Sequence, residues 1–367
     1  MRIALVHDAL VNRGGAERVA ATLCEAFPGA PLYTSVYLPE RTYPAFRDVD
    51  VRPTGLQSVI RSERALKATF PLALWAMSRL TLRGYDVVLT SSTFAAKFVR
   101  VPAGTPHVCY CYTPFRLAWD PASYDRDGQS ALRHTALRAA AALLRPADRR
   151  AAARVHRFVT MTQETRERIQ RAYGREAAVL RPPIDCAAYR GAFTRRGHFL
   201  LVSRLEPYKR VEVVIEAFGK LGAPLLVVGD GSQAAHLREK AGANISFLGV
   251  VGDDELRRLY AEAEAVLFPQ REDYGLVPLE AIASGTPVIA YAAGGVLETM
   301  VPVTADGRAD RATALFFHRQ SPAAVVDAVT AFRSLRFEPA FLREHASRFD
   351  KAAFIAGIRR HVQAAVG

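Results

Sequence analysis

The chain of 367 residues is short of cysteine, of lysine and of long apolar runs. Of its four cysteines, Cys24 and Cys186 stand alone and Cys109 and Cys111 form a C-x-C. No second Cys/His pair of suitable spacing stands nearby, which argues against a zinc site, and Cys-Tyr-Cys inside a strand-like run reads as packing. No apolar run approaches the ~18 to 20 residues that a membrane-spanning helix needs. The first residues, Met1-Arg2-Ile3-Ala4-Leu5-Val6-His7-Asp8, put His7 and Asp8 where a signal peptide would continue its apolar core, so a cytoplasmic protein is expected. Lysine supplies only six of the 49 basic residues. The charge is therefore carried by arginine.

What is present is the composition of a folded protein, half hydrophobic and 23% charged, and the length favours two domains that each bury a core. The net charge of +13 is uneven. Residues 1–185 hold 27 Lys and Arg against 16 Asp and Glu, whereas residues 186–367 hold 22 against 20. Abundant arginine explains the choice of base but not the asymmetry. Such an excess concentrates anionic partners: nucleic acid, acidic lipid or phosphorylated substrates.

The apolar run Ile3–Val6, the pair Gly14-Gly15 and the helical spacing of Val19, Leu23 and Phe27 form a strand, turn and helix, the first unit of a parallel α/β sheet. Further strands are expected at 87–90, 108–112 and 158–162, and residues 126–157 read as an Ala/Arg-rich helical stretch interrupted by Pro146. Pro182-Pro183 breaks the pattern. Strands at 199–202, 224–228, 245–248, 265–268 and 287–291 then alternate with helices at 211–220, 233–241, 254–263 and 278–284. Two doubly wound domains in tandem are expected, with ligands outside the carboxyl ends of the strands and an active site in the cleft between the domains.

Two clusters carry candidate chemistry. In Arg271-Glu272-Asp273-Tyr274-Gly275-Leu276-Val277-Pro278-Leu279-Glu280, one carboxylate lies in a loop after a strand and the second in the first turn of a helix. The amides that open that helix suit a phosphate or a sugar oxygen, and the two carboxylates can accept hydrogen bonds from hydroxyls. In Ser203-Arg204-Leu205-Glu206-Pro207-Tyr208-Lys209, two cations stand at a strand's carboxyl end, where they would neutralise a diphosphate.

With the Gly229-Asp230-Gly231 turn, Gly285-Thr286-Pro287-Val288 and Gly14-Gly15-Ala16-Glu17-Arg18, these segments resemble the retaining glycosyltransferases of family 4, which have the GT-B fold. The likeness spans both halves and is nearest to GDP-mannose-type mannosyl- and rhamnosyltransferases of polysaccharide synthesis. It implies an α/β GT-B chain of two Rossmann-like doubly wound domains facing across a cleft. Residues 1–185 would be the acceptor-side domain and 186–345 the nucleotide-sugar domain, with 346–367 a helix crossing back to the first. It also implies an enzyme that moves a mannose-type hexose, with retention, from a GDP-linked donor to a polyprenyl-diphosphate-linked or glycan acceptor, using no metal and no cofactor. Arg204 and Lys209 would hold the donor diphosphate and Glu272 would lie beside the transferred sugar. Glu280 would bind the ribose, and the Gly275 and Leu276 amides would face the phosphates. Ser203, Gly229 and Tyr274 would complete the donor site, and Gly14 and Gly15 would approach donor and acceptor. Relatives usually carry His where this chain has Tyr112; a phenol of pKa about 10 can donate a hydrogen bond but is a poor base near neutrality.

On the acceptor side, Arg61, Arg64, Lys67, Arg79 and Arg83 flank an apolar stretch containing Phe70, Leu72, Leu74, Trp75 and Met77. That pattern suits a helix in the core or a segment docking on anionic lipid. Three other readings compete. Gly229-x-Gly231-x-x-Ala234 matches a dinucleotide fingerprint and an NAD-dependent oxidoreductase, but lies mid-domain with no clear acidic partner. Asp48-Val49-Asp50 and Asp125-Arg126-Asp127 have the spacing of a metal pair, common by chance. A non-catalytic protein on the same fold would bind nucleotide sugar or a partner enzyme without turnover. No recognised nucleic-acid motif accompanies the basic half.

Overall fold

The computed structural model describes residues 1–124, 131–191 and 194–367, excluding the side chains of residues 64, 67, 124 and 131–133. It divides into two compact units, Met1–Pro183 with Ala352–Gly367, and Ile184–Lys351. The first holds seven parallel strands: β1 Ile3–His7, β2 Leu32–Thr34, β3 Val51–Pro53, β4 Val87–Ser92, β5 His107–Cys111, β6 Arg157–Thr160 and β7 Ala177–Val179. They lie in the order β3-β2-β1-β4-β5-β6-β7. All five residues of β1 and of β5 are buried. A parallel sheet covered on both faces makes each strand an unbroken apolar run rather than an alternating one. Cys109 and Cys111 pack there with Phe158 and Ile169, and all four cysteines are free thiols.

The second unit holds β8 Phe199–Val202, β9 Leu225–Val228, β10 Ile245–Gly249, β11 Val266–Phe268, β12 Val288–Tyr291 and β13 Ala314–Phe317, in the order β10-β9-β8-β11-β12-β13. Its core joins Leu201, Val227 and Leu267 of the sheet to Val214 and Phe218 of the helix Val211–Leu221 and to Val325 and Val329 of the helix Pro322–Phe332. In both sheets the strand order reverses beside the first strand, between β1 and β4 and between β8 and β11. Loops diverging from such a pair of strands leave a crevice at the carboxyl end of the sheet.

One expectation fails. The helix Ala131–Ala153 runs through Pro146 instead of breaking there. A proline inside a helix costs about 3 kcal/mol, and here side chains on either side of it are fastened to the rest of the unit. Arg145 Nε donates to Ala118 O at 2.7 Å and Arg149 Nε to Ala172 O at 3.1 Å. Asp148, fully buried, pairs with Lys97. The last helix, Lys351–Val366, packs within the first unit, with Phe354 edge-on to Tyr110 and Arg359 Nε donating to Ala26 O at 2.9 Å. Among the described residues no helix is long and apolar enough to cross a membrane.

Candidate active site

In the Ile184–Lys351 unit the two sequence clusters leave the two strands that flank the switch point. From β8 the chain runs through Ser203 and exposed Arg204 to the turn Pro207–Lys209, and re-enters a helix at Val211 only by taking Arg210 to φ 55°. Behind this loop sits the Gly229-Asp230-Gly231 turn. A Cβ at Gly229 would lie 1.9 Å from Ser203 O, and one at Gly231 2.5 Å from Leu205 O. Leu205 N donates to Asp230 O at 2.9 Å, and Gln233 N to Leu205 O at 2.9 Å. These glycines let two backbones touch, so they shape the loop that carries the cations. They follow β9, the second strand of the unit, whereas a dinucleotide fingerprint follows the first.

From β11 the chain runs through Gln270 and Glu272 to Gly275, whose φ of 90° turns it into the helix Leu276–Ala283. Gly294 and Gly295 close on this loop from the end of β12. A Cβ at Gly294 would lie 2.2 Å from Glu272 O and one at Gly295 2.4 Å from Tyr274 Cα, and Gly295 N donates to Glu272 O at 2.8 Å. The Glu272 carboxylate forms an ion pair with the Lys209 ammonium, joining the two loops across the switch point. Buried Gln270 adds a long bond from Nε2 to Glu272 Oε1, 3.4 Å, and leaves its own Oε1 without a partner. Arg204 Nη2 donates to Tyr208 Oη at 2.5 Å, and the Tyr208 ring lies 5.1 Å from Lys209 Nζ.

Glu280 departs from expectation. The helix starts at Leu276, so Glu280 is its fifth residue, and the first turn contains no acid. Gly275 absorbs the turn and Pro278, third in the helix, needs no donor there. Glu280 is 3% exposed, and Tyr260 Oη donates to its Oε2 at 2.8 Å.

In the other unit the loops after β1 and β4 are bound together by Asp8, which is buried. Its carboxylate accepts from the backbone amides of Thr93, Phe94, Ala95 and Ala96 at 2.5 to 3.1 Å and from Thr93 Oγ1 at 2.6 Å. Gly14 caps the helix Gly15–Ala26. Tyr112 lies beside that helix start and is buried: its hydroxyl donates to Ala16 O at 3.0 Å and sits 2.8 Å from Ser91 Oγ, which in turn is 3.0 Å from His7 Nδ1. With the tyrosine proton committed to a carbonyl, donation runs from His7 to Ser91 to Tyr112 to Ala16. Burial raises the phenol well above its ordinary pKa and lowers His7, so both stay neutral at pH 7. Tyr112 is thus an anchored donor.

The structure therefore gathers Ser203, Arg204, Lys209, Gly229, Glu272, Tyr274, Gly275, Leu276 and Glu280 in one unit, and Gly14, Gly15 and Tyr112 in the other. Sequence reasoning passed over Tyr208, Gln270 and the Gly294-Gly295 clamp; a glycine pair just after a strand was the available signal for the last. Asp50 is taken by Arg52 at 2.6 Å, Asp125-Arg126-Asp127 lies outside the described residues, and no group of three metal-ligating side chains occurs among the described ones.

Two parallel, doubly wound α/β units, each with its loops gathered at a switch point, define the GT-B class of glycosyltransferase structures. Residues 13–188 match the family described as Glycosyltransferase Family 4 and residues 190–354 that described as Glycosyl transferases group 1, and the chain belongs to these GT-B glycosyltransferases. It is 37% identical over 109 residues to an uncharacterized glycosyltransferase of Methanocaldococcus jannaschii, a match covering 27% of this chain and 28% of the relative. It is 34% identical over 137 residues to the sulfoquinovosyl transferase of Arabidopsis thaliana, covering 36% and 25%. The matched stretch thus spans only about a quarter of the length of these two relatives. Over 99% of both chains it superposes on Anabaena HepE, solved with UDP and glucose, with a TM-score of 0.70 at 18% identity. That likeness is one of fold.

Proposed function

We propose that this protein is a retaining hexosyltransferase that takes its sugar from a nucleoside diphosphate, with the donor held in the Ile184–Lys351 unit. The observation that carries this is the Lys209–Glu272 pair across the switch point, with Arg204 on the same loop as Lys209. Without ligand, the ammonium and the carboxylate neutralise each other. A diphosphate entering beside Arg204 competes for Lys209 with two negative charges, and Glu272 is released to accept hydrogen bonds from the sugar's hydroxyls. As the glycosidic bond breaks, charge builds on the leaving diphosphate, where Arg204, Lys209 and the amides opening the helix at Leu276 meet it. Fixed cations there do the work that a metal does elsewhere, so the proposal includes no cofactor and EDTA leaves the rate unchanged.

The sequence resemblance favours a GDP-linked mannose-type donor, and the likeness to a structure solved with UDP makes UDP the first alternative. The acceptor is proposed to be a polyprenyl-diphosphate-linked or glycan chain of cell-surface polysaccharide synthesis, reached from the cytoplasmic face of a membrane. The helix Phe70–Arg79 supports that setting. Ala73, Leu74 and Met77 are buried, whereas Leu72 and Trp75 (53% exposed) face outward with Arg79 4.8 Å from the Trp75 ring. The neutral, anchored Tyr112 favours one second reading, a sugar-nucleotide binder without turnover.

Equilibrium binding of GDP, UDP, ADP and NAD tests the donor site. Loss of charge-assisted bonds in Arg204→Ala should weaken the preferred nucleoside diphosphate about 10- to 100-fold. Binding of NAD alone would refute the reading. Donor hydrolysis or transfer that disappears in Glu272→Ala would exclude the non-catalytic alternative.

A further inference from the structure

The glycine loop of the first unit has a buried acid behind it that the donor chemistry does not use. Gly14 caps the helix Gly15–Ala26 with no side chain of its own, and Glu17 is the third residue of that helix. An acid at this position can reach back to the amide of the capping residue. The Glu17 carboxylate faces that amide and its own, and both favour its ionised form. It lies so close that a Cβ on Gly14 would fall 2.5 Å from Glu17 Oε2 and 3.0 Å from Asn12 Oδ1. Gly14 has an ordinary φ of −95°, so what favours glycine here is the nearby carboxylate and not the backbone conformation. Asn12 Oδ1, close to the same point, is buried and accepts nothing among the described residues. Glu17 is 8% exposed, and no cation pairs with it among the described residues. The charged or titratable groups facing it are Asp8 from the loop after β1, Glu63 from the helix Glu63–Ala68 and the Tyr112 phenol from the end of β5.

We propose that Glu17 is a positioning residue for the glycine loop: ionised, its carboxylate holds the Gly14 amide inward and fixes the path of Gly14-Gly15, and protonated, it releases that amide and turns its proton toward Asn12 Oδ1. The proton comes from solvent and returns to it, and no bond other than O–H is made or broken. Burial pushes the carboxyl up to about 7, with Asp8 and Glu63 pushing the same way against the two amides. The loop's two states would then exchange near neutral pH. The consequence for catalysis rests on the transfer reading above; the loop's own titration does not.

Labelling only the glycines with 15N gives a direct readout in the intact protein. The Gly14 amide should shift with a midpoint near pH 7 in the wild type, and the step should vanish in Glu17→Gln. In the transfer assay, kcat/KM should fall about tenfold from pH 8 to pH 6 in the wild type, as a single group of that pKa requires, and be flat over the range in Glu17→Gln. An acid whose role was only to support the fold would lower the rate in Glu17→Gln without flattening the profile. A Gly14 amide that does not titrate between pH 5 and 9 overturns the proposal, as does an acidic limb that survives the substitution. If Glu17→Gln does not fold, the wild-type titration still decides. A titrating Gly14 in a protein that transfers no sugar would sink the transfer reading and leave the latch standing.

Discussion

Lys97 and Asp148 offer the sharpest test of how the first unit is held. Both side chains are 0% exposed, and the ammonium lies 2.8 Å from Asp148 Oδ1. The other carboxylate oxygen accepts from Trp119 Nε1 at 2.8 Å and Tyr173 Oη at 2.7 Å. Burial works most strongly against the ammonium, but Asp148 together with the Cys111 and Cys109 thiols more than offsets it and the Lys97 pKa is raised, so the ammonium is charged at neutral pH. Lys97→Met removes one charge with little change of shape and leaves a buried carboxylate with neutral donors only. Breaking a buried pair in this way costs about 3 to 5 kcal/mol. At about 2 to 4 °C per kcal/mol for a unit of this size, the melting of Met1–Pro183 with Ala352–Gly367 should fall by about 6 to 20 °C. The double variant Lys97→Met/Asp148→Asn should recover about 1 to 3 kcal/mol relative to additivity. Calorimetry measures this with an internal reference, because the transition of Ile184–Lys351 should stay where it is. A loss of under about 1 kcal/mol in Lys97→Met, or an equal loss in both units, would refute the reasoning.

Gly229→Ala should abolish nucleotide binding, since its Cβ would meet Ser203 O at 1.9 Å; Gly249→Ala, also at positive φ but with nothing within 4 Å, should cost only about 1 kcal/mol, as titration calorimetry and urea unfolding would show. Tyr260→Phe removes the 2.8 Å bond to Glu280 and should weaken nucleoside diphosphate binding by about 1.5 to 3 kcal/mol if that carboxylate must be held in place for the ribose. Glu17 also predicts a pH dependence of stability. Its folded pKa, about 7, is raised above the ordinary 4.5, so its contribution is fully present below about pH 4.5 and lost as pH rises through 7. The loss is about 3 kcal/mol by linkage, and Glu17→Gln should remove that slope in urea unfolding followed from pH 5 to 8. Leu72→Ser with Trp75→Ala should reduce co-sedimentation with anionic vesicles and leave nucleotide affinity unchanged.

The alternation of strand and helix was legible because fully covered parallel strands read as apolar runs: β1, β4, β5, β8 and β9 announce themselves. β2, β3 and β7 have only three residues each, too few to show a period. β13 follows the polar stretch 304–311, and the helix it precedes was not anticipated. The start of the helix carrying Glu280 was misplaced because Pro278 reads as a first helical residue, whereas Gly275 makes the turn earlier. The candidate donor segments could be read as linear motifs, each at the end of a strand. Their joining through Lys209 and Glu272, 63 residues apart, could not, because no local pattern records which strands become neighbours. The same holds for the Gly294 clamp, whose glycine answers to a backbone in another loop.

The chain leaves the first unit after Pro183 and returns to it at Ala352. The ends of what lies between are tied to each other: Ile184 N donates to Phe349 O and Lys351 N to Ile184 O, each at 2.9 Å. In chain order, the Ile184–Lys351 unit is an insertion that can close on itself without the residues that follow it. The unit begun first is finished last. Until Phe354, Gly357 and Arg359 emerge, Tyr110, Leu180 and the first helix lack their cover. A chain cut short after Lys351 would thus hold a folded insert within an open frame, and limited proteolysis of it should spare residues 184–351.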